Sequence, residues 1–230
     1  MLLFYGFLLC IVYVTLPDGI ESTDIPKFPL EFQFNVTITA HQVPAETDYP
    51  PRWRSYYVYY DYLHNRARID VDAGFEAAKV YIRRYDLDHE FMVRHLPIDD
   101  CKRSHMGDVM PYPHLPSLTY IDSVDLDGVA CKHYVYDEEY MTRIHMYFDQ
   151  KGLPVQLIQE SMDSETQQHI PMLTYDYSDV KVGTISTEIF GIDNMQRGEV
   201  DKGSFWSKEQ CDLHAGGFPF IHLWHHFVKA

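Results

Sequence analysis

The chain has few positive charges. Among its 230 residues, 19 are Lys or Arg and 34 are Asp or Glu, so the formal net charge is −15. Nucleic acids and anionic membrane surfaces are bound through Lys and Arg, and this balance therefore argues against both kinds of partner. The acidic surface mainly favours solubility.

The motifs of common enzyme classes are also missing. The sequence has no G-x-S-x-G turn, no papain-type run around a cysteine, and no P-loop or Rossmann glycine pattern. His89 and His95 are six residues apart, whereas the zinc-protease helix needs histidines four apart. A calcium loop starting at Ser123 would place Tyr134 where a bidentate Glu is required.

One set of histidines has acceptable metal-ligand spacing. His222, His225 and His226 would share a helix face, but a plain amphipathic tail is the favoured interpretation. We therefore expect no catalytic residues, no cofactor and no metal site.

A single long apolar run occurs, at the N-terminus. Met1–Leu16 has the length of a secretory h-region, with cleavage expected between Gly19 and Ser22, so residues 1–22 are predicted to be a signal peptide. An uncleaved membrane anchor is the alternative. No later segment approaches transmembrane length, which predicts no stable membrane insertion and a location outside the cell or in the endolysosomal lumen.

Cysteine is scarce. Cys10 lies in the leader, which leaves Cys101, Cys131 and Cys211. In an oxidising compartment we expect Cys101 to pair with Cys131, closing a loop of about 30 residues inside the β region. Cys211 would then be unpaired, or joined to a partner protein or a second copy of the chain. The sequon at Asn35 predicts glycosylation if this residue faces solvent.

Alternating hydrophobic and polar residues predict about nine strands. Phe32, Phe34, Val36 and Ile38 alternate with polar residues, which is typical of a half-buried strand and points Asn35 outward. Asp127-Gly128 predicts a tight hairpin turn. Short turns between most strands indicate an antiparallel meander over residues 23–192. Residues 193–230 are predicted to be an appendage outside the core, with a short helix near its end.

The Tyr-rich segment from Ser55 to Asp72 predicts a hairpin around His64-Asn65. In the second arm Arg66, Arg68 and Asp70 alternate with hydrophobic residues, which predicts a solvated face. The first arm, Tyr56–Tyr62, is aromatic on both faces. Its surplus aromatic surface must pack against more protein or against a ligand.

A loop rich in proline follows the predicted fifth strand. Leu96–Ser117 carries four prolines, and its Met106, Met110, Tyr112 and Leu115 form an apolar surface. Such a long loop often acts as a lid, although it could equally be folded against the sheet.

The segments Phe32–Ile38 and Tyr59–Asp70 resemble the Y-D-x-x-x-x-R-x-R hairpin of ependymin-like, LolA-like secreted domains, and residues 127–134, 148–155 and 188–190 fit the same pattern. A similar domain precedes the protease in counting-factor-associated, papain-family cysteine proteases. The resemblance implies a mainly β fold, a curved antiparallel sheet or half-barrel whose concave side can take an apolar ligand. It also implies a secreted, usually glycosylated product.

We therefore expect a secreted, non-catalytic domain that binds a lipid or other apolar molecule. The residues expected to point inward and line the site are Phe34, Tyr57, Tyr59, Tyr81, Met146 and Tyr175. The alternative is a protein-interaction or regulatory module, related to the N-terminal domains of papain-family proteases and pairing through its tail and Cys211.

Overall fold

A computed structural model describes residues 26–44, 51–74, 76–95, 99–138, 142–197 and 204–218. The predicted signal peptide and most of the predicted C-terminal helix lie outside these ranges. The described elements are strands and short 3₁₀ turns, with no α-helix among them, so the helical appendage is not supported. Within the same ranges no helix is long and apolar enough to cross a membrane.

Twelve strands form one sheet. They are β1 (Glu31–Ala40), β2 (Trp53–Asp61), β3 (Arg66–Ala73), β4 (Lys79–Arg84), β5 (His89–Arg94), β6 (Asp100–His105), β7 (Thr119–Leu126), β8 (Val129–Glu138), β9 (Thr142–Asp149), β10 (Pro154–Met162), β11 (His169–Val182) and β12 (Asp212–Leu213). Their order is β12-β6-β5-β4-β3-β2-β1-β11-β10-β9-β8-β7. The mainly β prediction is confirmed, although the expected number of strands was too low.

The topology consists of two meanders that meet at β1 and β11. All neighbours are antiparallel except β12, which runs parallel to β6. The predicted turn at Asp127-Gly128 joins β7 to β8, and both residues have positive φ, at 51° and 87°. Asp and Gly tolerate this left-handed conformation, which matches the twist of a tight hairpin.

The two faces of the sheet are distinguished by the alternation along β1 and β2. Phe32, Phe34, Val36 and Ile38 are at most 3% exposed. We call their side of the sheet the inner face, and the opposite side the outer face. The inner face carries one continuous cluster that also includes Tyr56, Val58, Tyr60, Ile69, Tyr134, Met146, Phe148, Leu157, Tyr175 and Tyr177.

A second cluster covers the outer face over β4–β6. It contains Val80, Ile82, Phe91, Val93, Cys101, Ile185, Phe190, Ile192, Met195, Trp206 and Cys211. Residues beyond 192 therefore contribute to the core, and the expectation that they remain outside it fails for Met195, Trp206 and Cys211. Burying such side chains stabilises the fold by about 1.5–3 kcal/mol each.

Cys101 forms a disulfide with Cys211, not with Cys131. The predicted pairing is wrong because β6, which carries Cys101, and β8, which carries Cys131, lie near opposite ends of the strand order. Cys131 is a buried free thiol. Closeness in sequence favoured the wrong partner, since β12 returns across 110 residues to lie beside β6.

The hairpin residues Asp61 and Arg66 form a buried ion pair. Arg66 Nε donates to Asp61 Oδ2 at 2.7 Å, and the Arg66 guanidinium lies 4.7 Å from the centre of the Phe190 ring. Arg68 pairs with Asp70 and donates to the Ile189 carbonyl at 2.8 Å. The face predicted to be solvated is thus covered by the chain around residue 190.

Candidate functional site

Four of the six predicted ligand-binding residues lie on the inner face. Phe34, Tyr81, Met146 and Tyr175 are 2–4% exposed and belong to the inner cluster. These side chains form a packed aromatic and aliphatic interior. An apolar molecule reaching them would meet few polar groups.

Tyr57 and Tyr59 point the other way. Val58 pairs with Phe34 and is buried with it, which places the neighbouring tyrosines on the outer face. There the Tyr57 and Tyr59 rings lie 4.6 Å apart, and the Arg68 guanidinium lies 5.7 Å from the Tyr59 ring. The inward prediction failed because a run that is apolar or aromatic at every position carries no period-two signal.

The Pro-rich loop lies against the inner face. Met110 in the loop and Leu118 directly after it are 6% and 7% exposed and belong to the inner cluster. Tyr60 donates a hydrogen bond to the Pro111 carbonyl, and the Tyr62 and Tyr112 rings meet edge to face at 5.1 Å. The loop therefore covers part of the face that was predicted to bind a ligand.

A cavity of about 370 Å³ opens at one end of the inner face, where β1 and β10 end and β2, β9 and β11 begin. Ala40, Val43, Met172 and Leu173 supply apolar walls, and Gln42 and Ser161 lie among the polar residues around them. Leu173 also packs against the inner cluster. Leu173 is thus shared between the cavity wall and the edge of the inner cluster, although none of the six predicted residues lines the cavity.

Arg54 is the cation of this cavity. Its Nε atom is buried and has no hydrogen-bond partner among the described residues. The absence of a side chain at Gly74 leaves room for the aliphatic part of the Arg54 side chain, because a Cβ at Gly74 would lie 3.0 Å from Arg54 Cγ. Burial raises the pKa of Tyr175 to about 12, and the Arg54 charge partly offsets that rise. The field of Arg54 therefore extends into the inner face.

Sequence reasoning missed Arg54. It is the second residue of β2, which follows a proline-containing loop, and nothing in the sequence pattern separates it from Arg52. Only the alternation of β2, counted back from Tyr56, could have indicated that Arg54 points inward.

Another group of residues has ligand atoms close enough for a metal ion. Glu31, Asp61 and His64 bring these atoms within 4.8 Å of one another. However, both Asp61 oxygens already accept hydrogen bonds, from Arg66 at 2.7 Å and from His64 at 2.9–3.1 Å. We interpret this group as the structural end of the β2–β3 hairpin.

Asn35 lies on the outer face, as predicted, and is half-buried. Its amide nitrogen donates to Asp179 on β11 at 3.0 Å. Glycosylation at this residue remains a prediction.

No protein-family model matches the chain, and no curated protein matches it. Among similar solved structures is an uncharacterized conserved protein from Thermus thermophilus, at 8% identity and a TM-score of 0.47, over 71% of this chain and 85% of that one. MucB in complex with MucA(peri) aligns at 11% identity and a TM-score of 0.41 over 70% of this chain and 53% of MucB, about half its length.

A LolA superfamily protein from Nitrosomonas europaea aligns at 14% identity and a TM-score of 0.33, over 74% of this chain and 94% of that one. At these identities and scores the matches support no conclusion about ligands or partners. The ependymin-like and papain-related resemblances stay predictions. What the structure establishes is a mainly β chain built on one curved, mostly antiparallel sheet.

Proposed function

We propose that this protein is a secreted, non-catalytic binding protein for a long-chain apolar ligand with an acidic head group. The observation that carries the proposal is the cavity at the strand ends, whose apolar wall residue Leu173 also packs against the inner cluster. Ligand sites typically combine such walls with a few placed polar groups.

Arg54 supports the acidic head group. The Arg54 side chain interacts with Tyr56, but its buried Nε has no hydrogen-bond partner among the described residues. Such an unsatisfied nitrogen is costly, and a carboxylate or phosphate oxygen is its natural acceptor. The hydrocarbon chain of such a ligand would extend along Leu173 toward Tyr175. The Pro-rich loop, held by Tyr60, would have to yield for a deeper fit.

Secretion is supported by the Cys101–Cys211 disulfide, since such bonds form and persist in oxidising compartments. The disulfide also contradicts the predicted covalent partner at Cys211. Since Cys211 is already bonded to Cys101, it is not free to form a disulfide with a partner protein.

Binding of dansyl-labelled undecanoic acid, followed by fluorescence, tests the proposal. We expect enhancement with the full chain and its loss in Leu173→Asp, because a carboxylate at the cavity wall would repel both the tail and the head group. Leu213→Asp is the matched control, since Leu213 is 70% exposed on β12 and far from the cavity in the strand order. No enhancement with the unmodified protein would refute the proposed function.

The role of Arg54 has its own test. Arg54→Gln should weaken binding of the acid about tenfold or more, because a hydrogen-bonded charge pair is worth roughly 1.5–3 kcal/mol. The methyl ester of the same probe should bind both proteins alike. Arg84, the last residue of β4, pairs with Asp86 away from the cavity. Arg84→Gln should therefore leave the affinities for the acid and for the ester unchanged. Equal weakening for acid and ester would contradict a head-group contact.

A self-association role is the second candidate. β7 lies last in the strand order, pairs with β8 alone in the described part of the chain, and exposes 51% of Ile121. An open strand edge can accept a strand from a second copy. Light scattering should then show a dimer that Ile121→Lys abolishes; a monomer at all concentrations would exclude this role.

A further inference from the structure

Two histidines face each other on the outer side of the sheet. His133 on β8 and His145 on β9 are diagonal neighbours, because His133 pairs with Tyr147 and His145 pairs with Val135. Their rings stack with an angle of 18° between planes, and the Tyr147 ring also stacks with His133, with ring centroids 4.6 Å apart. Their side chains are only 12% and 19% exposed.

Each histidine also touches a carboxylate through its far nitrogen. His133 Nδ1 lies 2.9 Å from Asp122 Oδ1, and His145 Nε2 lies 3.1 Å from Glu160 Oε2. An ionised carboxylate only accepts hydrogen bonds, so each far nitrogen carries a hydrogen. A neutral imidazole has one N–H, and each near nitrogen therefore presents a lone pair.

The two near nitrogens, His133 Nε2 and His145 Nδ1, are 2.9 Å apart. Two lone pairs cannot face each other at this distance without a cation between or beside them. A proton would satisfy the pair, and so would a metal ion. Metal-bound histidines commonly donate their other N–H to a carboxylate, which is the arrangement that Asp122 and Glu160 provide here.

The charges nearby favour a divalent ion. Asp137 and Arg143 pair with each other at 2.8 Å, which leaves Asp122 and Glu160 to the histidines. A shared proton would balance one of these two carboxylates. A divalent cation would balance both.

We propose that His133 and His145 form a two-histidine site for a divalent copper-like ion, oriented by Asp122 and Glu160. With metal–nitrogen bonds of about 2.0 Å, nitrogens 2.9 Å apart subtend roughly 90° at the metal. That angle suits the tetragonal geometry of Cu²⁺ or Ni²⁺ better than tetrahedral Zn²⁺.

The remaining ligand positions have room. Both histidines line an open groove of about 610 Å³, together with Thr119, Asp137 and Arg143. Water or a small oxygen ligand can complete the coordination from that side. The sequence did not predict this site, because the histidines are twelve residues apart on separate strands and match no ligand motif.

Titration of the full-length protein with CuSO₄ against a chromophoric chelator tests the site, with nitrogen hyperfine splitting in the electron paramagnetic resonance spectrum as the structural readout. We expect one Cu²⁺ per chain with two histidine nitrogens. His133→Gln and His145→Gln should each lower the affinity at least tenfold and remove one nitrogen from the spectrum. Zn²⁺ should bind more weakly than Cu²⁺.

A milder variant separates ligand loss from misfolding. Glu160→Gln keeps both histidines and should weaken binding about tenfold to a hundredfold, as removal of an orienting carboxylate does. As controls, the triple variant His222→Ala, His225→Ala, His226→Ala and the exposed-residue variant His114→Gln should retain the site and its spectrum. Binding that survives in both His133 and His145 variants, or that disappears with the tail histidines, would overturn the proposal. So would an imidazole nitrogen NMR spectrum that shows a shared proton and stays unchanged on addition of Cu²⁺.

Discussion

The two halves of the sheet differ in what covers their outer face. Over β4–β6 residues of the segments 185–197 and 204–211 form a second hydrophobic cluster. The Cys101–Cys211 disulfide holds this cover, and Phe190 lies against the buried Arg66 guanidinium. Over β7–β9 the same face is an open groove lined by His133, His145 and Asp137. The covered half uses its polar groups for structure, whereas the open half keeps polar groups within reach of solvent, which is where we infer a metal site.

The largest expected effect is loss of the disulfide in the covered half. Cys101→Ser should lower the free energy of unfolding by about 4–5 kcal/mol, since the bond closes a loop of 110 residues. Cys131→Ala in the open half, which removes one buried sulfur, should cost about 1 kcal/mol. Urea unfolding of both proteins measures the difference, and equal losses would erase the distinction between the halves.

Breaking the buried ion pair should come next. Asp61→Ala leaves Arg66, which is 6% exposed, without its partner and should destabilise the fold by about 3 kcal/mol. The counterpart in the open half is Asp137, 67% of whose side chain is exposed. Asp137→Ala should change stability by less than about 1 kcal/mol. Thermal denaturation of the two variants measures the difference. If Asp137→Ala lost as much stability as Asp61→Ala, the open half would also be stabilised by its ion pairs.

The contact between the Pro-rich loop and the inner face should be worth less. Tyr60→Phe removes the hydrogen bond to the Pro111 carbonyl and should cost about 1 kcal/mol. It should also speed proteolysis within residues 106–118. Tyr57→Phe, on the outer face of the same strand, should leave the cleavage rate unchanged. A loop that is cut no faster in Tyr60→Phe must be held by its other contacts.

The smallest effect concerns pH. Burial raises the pKa of Glu90, while the Phe218 N–H and the Arg83 cation partly offset the rise. A raised folded pKa means that the folded state holds this proton more tightly, so stability present at low pH is lost as pH rises through the folded pKa. Glu90→Gln should therefore gain stability relative to the parent as the pH rises from the ordinary Glu pKa through the raised one. If the free energies of unfolding of the parent and of Glu90→Gln changed with pH in parallel, Glu90 would not have a raised pKa in the folded state.

Strand positions were predictable where one face is polar and the other is not. The alternation of Phe32–Ile38 located β1 and its outward Asn35, and Asp127-Gly128 located a turn. β6 was missed because its polar sequence resembles a loop, although it is held by β5 and β12.

The site was less predictable, because it depends on partners distant in sequence. Cys211 reaches Cys101 only after β12 returns to β6, and His133 meets His145 only through strand register. Arg66 was predicted to be solvated because its cover, Phe190, lies more than a hundred residues later. Local periodicity contains none of this information.

The pairing of β1 with β11 has a consequence for synthesis. Phe32 lies opposite Val182, so the first strand of the described chain finds its second neighbour only when the eleventh has been made. Each meander can form from local hairpins as the chain emerges, but their union must wait for most of the protein. The edge of β1, the strand that also carries Phe32 and Phe34, is therefore the surface of the nascent chain that stays uncovered longest and most needs protection by chaperones.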